Sequence, residues 1–552
     1  MVGAAMAIRA GAWDGGLTRR ELLRAGGILA ASMTMGPLLG GCASSGGAGS
    51  SFSVEEASIA ELQAAMQAGR ISAVSLSELY LARIQAMDRS GPMLRAVQET
   101  NPDALAIAAA LDQERKAGRV RGPLHGIPVL IKDNIATADR METTAGALAL
   151  VGAKPRQDST IARRLRDAGA VILGKASMSE WAYFKSAPGS SGWSARNGQS
   201  RNPYALDRSP CGSSSGSAIA VAASLATIAI GTETDGSIVC PSGVNGVVGI
   251  KPTVGLTSRA GVIPISATQD TVGPFGRTVA DAATALGALV GPDPRDPATG
   301  ASADHAQKDY ARFLDPDGLR GARVGVPREG YFGYSPKADA VAEQAIAAMR
   351  ERGAVIVDAV KIPNFDRAAL TASEITVFLY EFKTGVNAYL ADLAPGGRVR
   401  TLADIVEFNR QNAADNLPYF GQEWLERAQA KGGLTEPEYV EALEKCRRLA
   451  GPDGLDAAMD ANRLDALVAP TTTPAWTIDL VNGDAIRGAS AKSAALAGYP
   501  LISVPAGFAQ GLPVGITFMG RAWSEPTLIK LAYGYEQATR ARRPPQYRPT
   551  AV

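Results

Sequence analysis

The chain reads Ser209-Pro-Cys-Gly-Ser-Ser-Ser-Gly-Ser217, continues through an alanine-rich run, and then reads Gly231-Thr-Glu-Thr-Asp-Gly-Ser-Ile-Val-Cys-Pro241. Both segments set serines among glycines, and glycine lets a backbone direct successive N–H groups at one point, where an anion can bind. The first segment precedes a predicted helix over 217–224, so it fits an anion cradle at a helix N-terminus or simple capping by serine. The second follows a predicted buried strand over 226–230 and fits an oxyanion hole, although glycine-rich turns also occur without function.

A third segment, Gly126-Ile-Pro-Val-Leu-Ile-Lys-Asp-Asn134, ends an apolar strand with Lys132. A lysine activates a serine only when its amine is neutral, which requires burial away from carboxylates. The uncharged residues before Lys132 favour burial, whereas the adjacent Asp133 favours the protonated amine. Position alone therefore supports a catalytic base and a solvated surface charge equally.

Histidine is almost absent from the chain, which holds only His125 and His305. A Ser-His-Asp triad would need one of the two. His125 lies in a turn before the strand, where we expect a structural hydrogen bond, and His305 lies in a polar segment. The sequence contains neither His-Glu-x-x-His nor Cys-x-x-Cys. A zinc hydrolase is therefore not predicted, and no metal or other cofactor is expected.

Composition and charge are those of a soluble globular enzyme. Of 552 residues, 46% are hydrophobic and 20% charged, and the net charge is +2. So small a charge gives no electrostatic basis for binding nucleic acid. Four cysteines make no disulfide framework. Cys211 and Cys240 flank the two glycine-serine segments; a bridge between them is possible, but the sequence favours two small apolar packing residues.

Residues 1–41 are predicted to be an export signal. Thr18-Arg-Arg-Glu-Leu-Leu-Arg24 carries a twin-arginine pair, and the apolar stretch over 26–39 is too short to span a bilayer. Leu39-Gly-Gly-Cys42 resembles a lipoprotein processing site, at which Cys42 would be lipidated and tether the protein to a membrane; the alternative is a plain signal peptide with an incidental cysteine. Residues 42–52 are then a flexible Gly/Ser tether. We therefore expect an exported protein of the periplasm or cell envelope.

Alternating strands and helices predict an α/β layer around one sheet. The region 368–451 is predicted to be mainly helical, either as a cap over the site or as an ordinary peripheral layer, and 498–518 is predicted to complete the sheet. Strands are predicted over 126–132, 170–173, 226–230, 322–326, 354–357 and 466–469, and helices over 53–70, 75–90, 104–117, 159–169 and 217–224.

In this order, the three quoted segments resemble those of the amidase signature family, and the resemblance covers about Ser53 to Pro545. It implies a single amidase-signature domain over 53–545, with a central mixed β-sheet surrounded by helices. It also implies amide hydrolysis through an acyl-enzyme. In that chemistry Ser237 is the nucleophile, Ser213 is the bridging serine on a cis peptide bond, and Lys132 is the terminal base.

The resemblance further implies an oxyanion hole formed by the backbone N–H groups of Thr234, Asp235, Gly236 and Ser237. Many relatives carry glycine where this chain carries Asp235, a change that keeps the backbone donor. Candidate substrate-binding residues complete the predicted site. Ser214 is a hydrogen-bonding neighbour of the triad, and an apolar group either lines the acyl pocket or packs in the core: Met178, Trp181, Tyr183 and Phe184.

Within the family, the chain most resembles the bacterial peptide amidases, which remove the C-terminal amide of peptides. The stretch Ile238–Cys240 offers no arginine for a small carboxylated amide, which favours peptide or aryl amides. Two other functions stay open: the glutamine-hydrolysing component of a tRNA-dependent amidotransferase, against which the export signal argues, and a non-catalytic envelope peptide-binding protein, against which the complete triad argues. The sequence does not predict an oligomeric state.

Overall fold

The computed structural model describes residues 52–552. The predicted signal peptide over 1–41, Cys42 and the predicted tether up to residue 51 lie outside the described residues. Along the described part of the chain, no helix is long and apolar enough to cross a membrane. The architecture below is therefore that of the domain predicted to begin at residue 53.

Thirteen strands occur in the described residues, and eleven of them form one sheet. They are β1 (Val97–Thr100), β2 (Pro128–Lys132), β3 (Val171–Ala176), β4 (Trp193–Ser194), β5 (Gly198–Gln199), β6 (Ile228–Glu233), β7 (Val248–Lys251), β8 (Thr271–Gly276), β9 (Arg323–Val326), β10 (Val355–Asp358), β11 (Ala466–Pro470), β12 (Leu501–Ala509) and β13 (Leu512–Met519).

The large sheet has the order β1-β3-β2-β6-β8-β7-β12-β13-β11-β9-β10, and β4 pairs only with β5. Neighbours are parallel in the pairs β2–β3, β2–β6, β9–β11 and β9–β10, and antiparallel elsewhere. Strands β2, β3, β6 and β8 are buried along their whole length, as expected where helices cover both faces. The predicted α/β fold with a central mixed sheet is confirmed.

Sixteen α-helices surround the sheet within the described residues. They are α1 (Ile59–Gln67), α2 (Ala73–Arg83), α3 (Ala104–Lys116), α4 (Thr160–Asp167), α5 (Ser215–Ala222), α6 (Val239–Val244), α7 (Val279–Gly287), α8 (Pro336–Glu351), α9 (Arg367–Asp392), α10 (Leu402–Gln411), α11 (Ala413–Asn416), α12 (Glu423–Gln429), α13 (Pro437–Ala450), α14 (Ala457–Asn462), α15 (Lys492–Ala497) and α16 (Glu525–Thr539). Short 3-10 or π turns occupy Ile84–Arg89, Leu148–Leu150, Glu180–Tyr183, Pro297–Ser302, Ala311–Phe313 and Gly451–Asp456.

Element boundaries differ from the sequence prediction where side chains or pairing partners set them. The first helix begins at Ile59 rather than residue 53, because Ser58 accepts a hydrogen bond from the Glu61 N–H and the Glu61 carboxylate accepts one from the Ser58 N–H. Strand β6 continues to Glu233, three residues beyond the prediction, because Glu233 pairs with Thr271 of β8. That extension carries the strand into the second glycine-serine segment.

The mainly helical region holds α9 to α13, as predicted. Helix α9 places Thr371 and Phe378 on the wall of a cavity of about 530 Å³. This contact favours the hypothesis of a cap over the site. Beyond Pro545, where the predicted domain ends, the chain stays in contact with it, since Arg548 O accepts a hydrogen bond from the Leu206 N–H.

Candidate active site

A cavity of about 530 Å³ opens beside the glycine-serine segments. Its lining includes Ser213 and Ser237, together with the loop residues Thr234 to Gly236. Parallel pairing of β2 with β6 brings the end of β2 beside the end of β6. The three sequence segments predicted to form the site therefore meet beside the carboxyl ends of β2 and β6.

Lys132 is fully buried at the end of β2. Its Nζ lies 2.8 Å from Ser213 Oγ, 2.8 Å from Thr232 Oγ1 and 3.2 Å from the Thr232 carbonyl oxygen. Burial lowers the pKa of Lys132 to about 7, although the carboxylates of Asp270 and Glu233 act to raise it. The structure thus buries Lys132 in the interior, which rules out a solvated surface charge.

The Asp133 carboxylate is not among the partners of Lys132. That carboxylate accepts hydrogen bonds from Gly146 N–H, at 3.0 Å, and from the Thr144 hydroxyl, and it lies 3.7 Å from the guanidinium of Arg196. Asp133, whose place next to Lys132 favoured a protonated amine in the sequence analysis, is therefore paired with other groups.

The three oxygen partners of Lys132 can serve a neutral amine as well as an ammonium. An amine has two N–H donors and one lone pair, and Thr232 offers a carbonyl and a hydroxyl oxygen as acceptors. In the neutral amine the lone pair is left for Ser213 Oγ, whose proton it can accept, whereas an ammonium donates its third N–H to that oxygen. The Asn134 side-chain amide also donates to Thr232 Oγ1, at 3.1 Å, which fixes that hydroxyl in place.

The two predicted serines differ in their surroundings. Ser213 follows a cis peptide bond after Gly212, as the resemblance implied. Ser237 contacts the first segment through its backbone, where its carbonyl accepts a hydrogen bond from the Ser214 N–H at 3.2 Å. Within residues 52–552, the Ser237 hydroxyl has no hydrogen-bond partner. Ser237 lines the cavity, so its hydroxyl is open to a ligand there.

Cys211 and Cys240 form a disulfide, so the preferred interpretation of two packing residues is wrong. The bridge joins the loop of Ser213 to α6, which follows Ser237, and both cysteines line the cavity. Sequence spacing left the bridge undecided because 29 residues separate the two cysteines. The tertiary fold brings them together beside the two serines.

The predicted oxyanion loop keeps three of its four candidate donors free. Gly236 donates its N–H to Glu233 Oε1 at 2.9 Å, while the amides of Thr234, Asp235 and Ser237 meet no acceptor within the described range. Gly236 has φ +82°, a conformation that favours glycine. Glu233 also accepts from the first amides of α6. The hole therefore differs from the prediction at Gly236.

The predicted substrate-binding residues divide between wall and core. Tyr183 and Phe184 line the cavity. Met178 and Trp181 do not: both are almost fully buried in an apolar cluster, where Trp181 meets Phe382 edge to face at 6.0 Å. Their prediction as pocket residues is therefore not supported, and the alternative of core packing applies.

Ser214 also belongs to the scaffold. It is fully buried, and its hydroxyl donates to the Thr232 carbonyl at 2.9 Å and accepts from the Thr232 N–H at 3.3 Å. These bonds join the serine triplet to β6 and leave no group for a substrate. His125 is structural as expected, with Nε2 3.0 Å from the Leu111 carbonyl oxygen.

Several residues at the site were missed by the sequence analysis. Asp270 accepts the Thr234 hydroxyl at 2.6 Å and the amides of Ile265 and Ser266; an acid just before a buried strand was the available signal. Lys492 and Glu374 gave no signal, because they come from distant helices. Among residues 52–552, no group of three or more His, Cys, Asp or Glu is arranged to hold a metal ion.

Comparison with known proteins identifies a matching family and similar solved structures. The sequence model of the family described as Amidase matches residues 75–529. The solved structure of a peptide amidase, PAM, in complex with the competitive inhibitor chymostatin is 55% identical, with a TM-score of 0.86, and the match covers 89% of this chain and 99% of that one. The native peptide amidase from Stenotrophomonas maltophilia is 54% identical with a TM-score of 0.84, covering 89% and 99%.

Curated relatives include proteins of two kinds. A protein of Arabidopsis thaliana named as a probable amidase is 43% identical over 90% of this chain and 93% of its own length. A component of the glutamyl-tRNA(Gln) amidotransferase of Halorhodospira halophila is 36% identical over 88% of this chain and 98% of its own. Similarity therefore extends over nearly the whole described domain in both cases.

Proposed function

Because the chain belongs to the amidase signature family and is an amide-hydrolysing enzyme, we propose that it releases the C-terminal amide of peptides through an acyl-enzyme on Ser237. One observation carries the proposal: the buried Lys132 amine lies 2.8 Å from Ser213 Oγ, in the cavity wall that Ser213 shares with Ser237. No histidine lines that cavity within the described residues. The site therefore supports a Ser-Ser-Lys relay.

The proposed reaction begins with neutral Lys132 taking the proton of Ser213, which takes the proton of Ser237. Ser237 Oγ attacks the amide carbon, and the amides of Thr234, Asp235 and Ser237 stabilise the oxyanion. The proton returns through Ser213 to the departing nitrogen, and ammonia leaves. Water, deprotonated by the same relay, then attacks the acyl-enzyme and releases the acid.

The cavity wall supports a peptide substrate with an apolar side chain. Phe184 and Phe378 meet edge to face at 5.9 Å, and Ile265 adds an aliphatic contact. Aromatic walls of this kind bury apolar side chains well. Glutamine, the substrate of the rival amidotransferase function, would leave most of that wall uncovered.

Export to an oxidising compartment is part of the proposal. The Cys211–Cys240 bridge supports it, because disulfides persist in secreted and periplasmic proteins and are rare in the cytosol. Together with the twin-arginine segment, it favours a periplasmic or envelope protein, tethered through a lipidated Cys42. A cytosolic partner complex is less compatible with these features.

Replacement of Ser237 tests the proposal. We expect Ser237→Ala to lower kcat for N-acetyl-phenylalaninamide by roughly 10³-fold or more. A fluorophosphonate should label the native protein on Ser237, as mapped by peptide mass. The matched control is Ser190→Ala, because the Ser190 hydroxyl bonds Gln199 outside the cavity.

Substrate choice is tested with a panel of peptide amides, aliphatic amides, aryl amides and free glutamine. Preference for peptide amides supports the proposal. Hydrolysis of glutamine alone would favour the amidotransferase function, and tight peptide binding without turnover would favour a binding protein. Near-normal activity of Ser237→Ala would exclude the assigned nucleophile.

A further inference from the structure

Asp235 places a carboxylate in the oxyanion loop, and that carboxylate is paired. Lys492, the first residue of α15, has its Nζ 2.6 Å from Asp235 Oδ2. Lys492 also forms an ion pair with Glu374 of α9. Its side chain is only 10% exposed and lines the cavity. One lysine therefore links the loop to two helices that are far apart in sequence.

The same cluster reaches the residue before Asp235. Gln269 Nε2 donates to Glu374 Oε1 at 3.0 Å and to the Thr234 carbonyl oxygen at 3.3 Å. Two consecutive loop residues are thus held from outside the loop, Asp235 by its carboxylate and Thr234 by its carbonyl. Both contribute amides to the proposed oxyanion hole.

The ion pair between Asp235 and Lys492 affects the charge around the proposed oxyanion hole. The tetrahedral intermediate develops a negative charge in a site shielded from water, where charges interact strongly. An unpaired Asp235 carboxylate beside the hole would oppose that charge. Burial acts to lower the pKa of Lys492, but the carboxylates of Asp235 and Glu374 outweigh it and raise the pKa, so the ammonium stays charged. Among residues 52–552, the Asp235 carboxylate has one ion-pair partner, Lys492, whereas Glu374 also accepts a hydrogen bond from Gln269.

We propose that Lys492 is a positioning residue for the oxyanion hole: it holds the Asp235 side chain and cancels its charge, so that the loop amides stabilise the intermediate. The inference rests on the proposed serine chemistry. It assigns a role to a lysine on the side of the cavity formed by α15. Lys492 acts there as a cation, whereas the proposed chemistry uses Lys132 as a neutral amine.

The test compares binding of a transition-state mimic with binding of substrate. In the full-length protein, Lys492→Met should raise the inhibition constant of the aldehyde N-acetyl-phenylalaninal by roughly 10- to 100-fold, since oxyanion stabilisation is impaired. The KM for N-acetyl-phenylalaninamide should stay within about threefold, because the neutral ground state carries no such charge. A structural role alone would not separate these two constants.

The double variant Asp235→Asn with Lys492→Met should recover most of the aldehyde affinity, because it removes the charge that Lys492 neutralises. If Lys492→Met does not fold, Asp235→Asn and the double variant are compared, and equal aldehyde affinity within about threefold is expected. The control Lys185→Met removes a buried lysine paired with Glu180 outside the large cavity; it should lower thermal stability while leaving the aldehyde constant in place.

Three outcomes would overturn the inference: an unchanged aldehyde constant in Lys492→Met, a double variant as impaired as the single one, or an equal effect of Lys185→Met. Full activity of Ser237→Ala would instead overturn the proposed function. The two failures are therefore distinguishable.

Discussion

At the scale of single residues, Lys132 combines burial with hydrogen bonding to suit a base. Desolvation disfavours its charged form, and its pKa of about 7 lies below the ordinary value of a lysine. In the neutral form, both N–H groups can donate to the Thr232 oxygens, which leaves the lone pair for Ser213. Asp270, whose own pKa burial raises to about 6, acts in the opposite direction through its negative charge.

The pH dependence follows from the sign of that shift. Because the reactive form is the neutral amine, kcat/KM should rise about tenfold per pH unit below the pKa and level off above about pH 7. Kinetics on N-acetyl-phenylalaninamide between about pH 5 and pH 9 measures this rise of kcat/KM with pH, the acidic limb of the profile.

Asp270→Asn provides the internal check on that assignment. Loss of a negative charge that raises the Lys132 pKa should move the limb to lower pH, whatever the variant does to the plateau through Thr234. An immobile limb, or one that moves to higher pH, would show that Lys132 is not the titrating group.

At the scale of elements, the site depends on the turn between the end of β6 and the start of α6. The strand ends at Glu233, whose carboxylate accepts three amides of the turn and the first helical residues. A carboxylate is favourable at a helix N-terminus. The Cys211–Cys240 bridge then ties α6 to the loop of Ser213. Ser237 is thus held from both sides.

Loss of the bridge should loosen the two serine loops relative to one another. For a 29-residue separation, we expect Cys211→Ala with Cys240→Ala to lower the free energy of unfolding, measured in urea, by about 3.5 kcal/mol. We also expect kcat to fall more than KM rises. Cys446→Ala is the control, since Cys446 is a free, buried cysteine that does not line the cavity. A double variant with native kcat would contradict the role given to the bridge.

The aromatic wall joins the turn that carries Phe184 to helix α9. Phe378→Ala should lower kcat/KM for N-acetyl-phenylalaninamide by about tenfold relative to N-acetyl-glycinamide, because the side chain of the substrate loses an aromatic contact. Phe313→Ala, which removes a ring outside the cavity, should leave that ratio unchanged. An unchanged ratio in Phe378→Ala would place the substrate side chain elsewhere.

At the scale of the whole molecule, the sheet collects groups that are far apart along the chain. Parallel pairing of β2 with β6 joins Lys132 to Thr232, and the helical layer adds α9 as a wall. Helix α15 supplies Lys492 from near the end of the domain. The cavity is formed only when all of these segments are folded together.

The fate of the first 42 residues is a prediction about the whole protein in its cell. A palmitate analogue should label the native protein, and Cys42→Ser should abolish the label and release the enzyme into the soluble periplasmic fraction. Intact mass should place the mature N-terminus at Cys42. Absence of label on the native protein would leave a plain signal peptide, with Cys42 incidental.

Local patterns in the chain were enough to establish the α/β class, the catalytic candidates and the glycine that the turn requires, because these depend on apolar strands, on glycines that permit positive φ, and on segments in a fixed order. They could not settle whether Asp133 pairs with Lys132 or whether Cys211 and Cys240 form a disulfide. Nor could they show that Phe184 lines the cavity while Trp181 packs in the core. Each of these depends on packing between residues distant in sequence. Folding alone brought Lys492 and Glu374 to Asp235, because an ion pair between separate elements leaves no periodic or local signal in the chain.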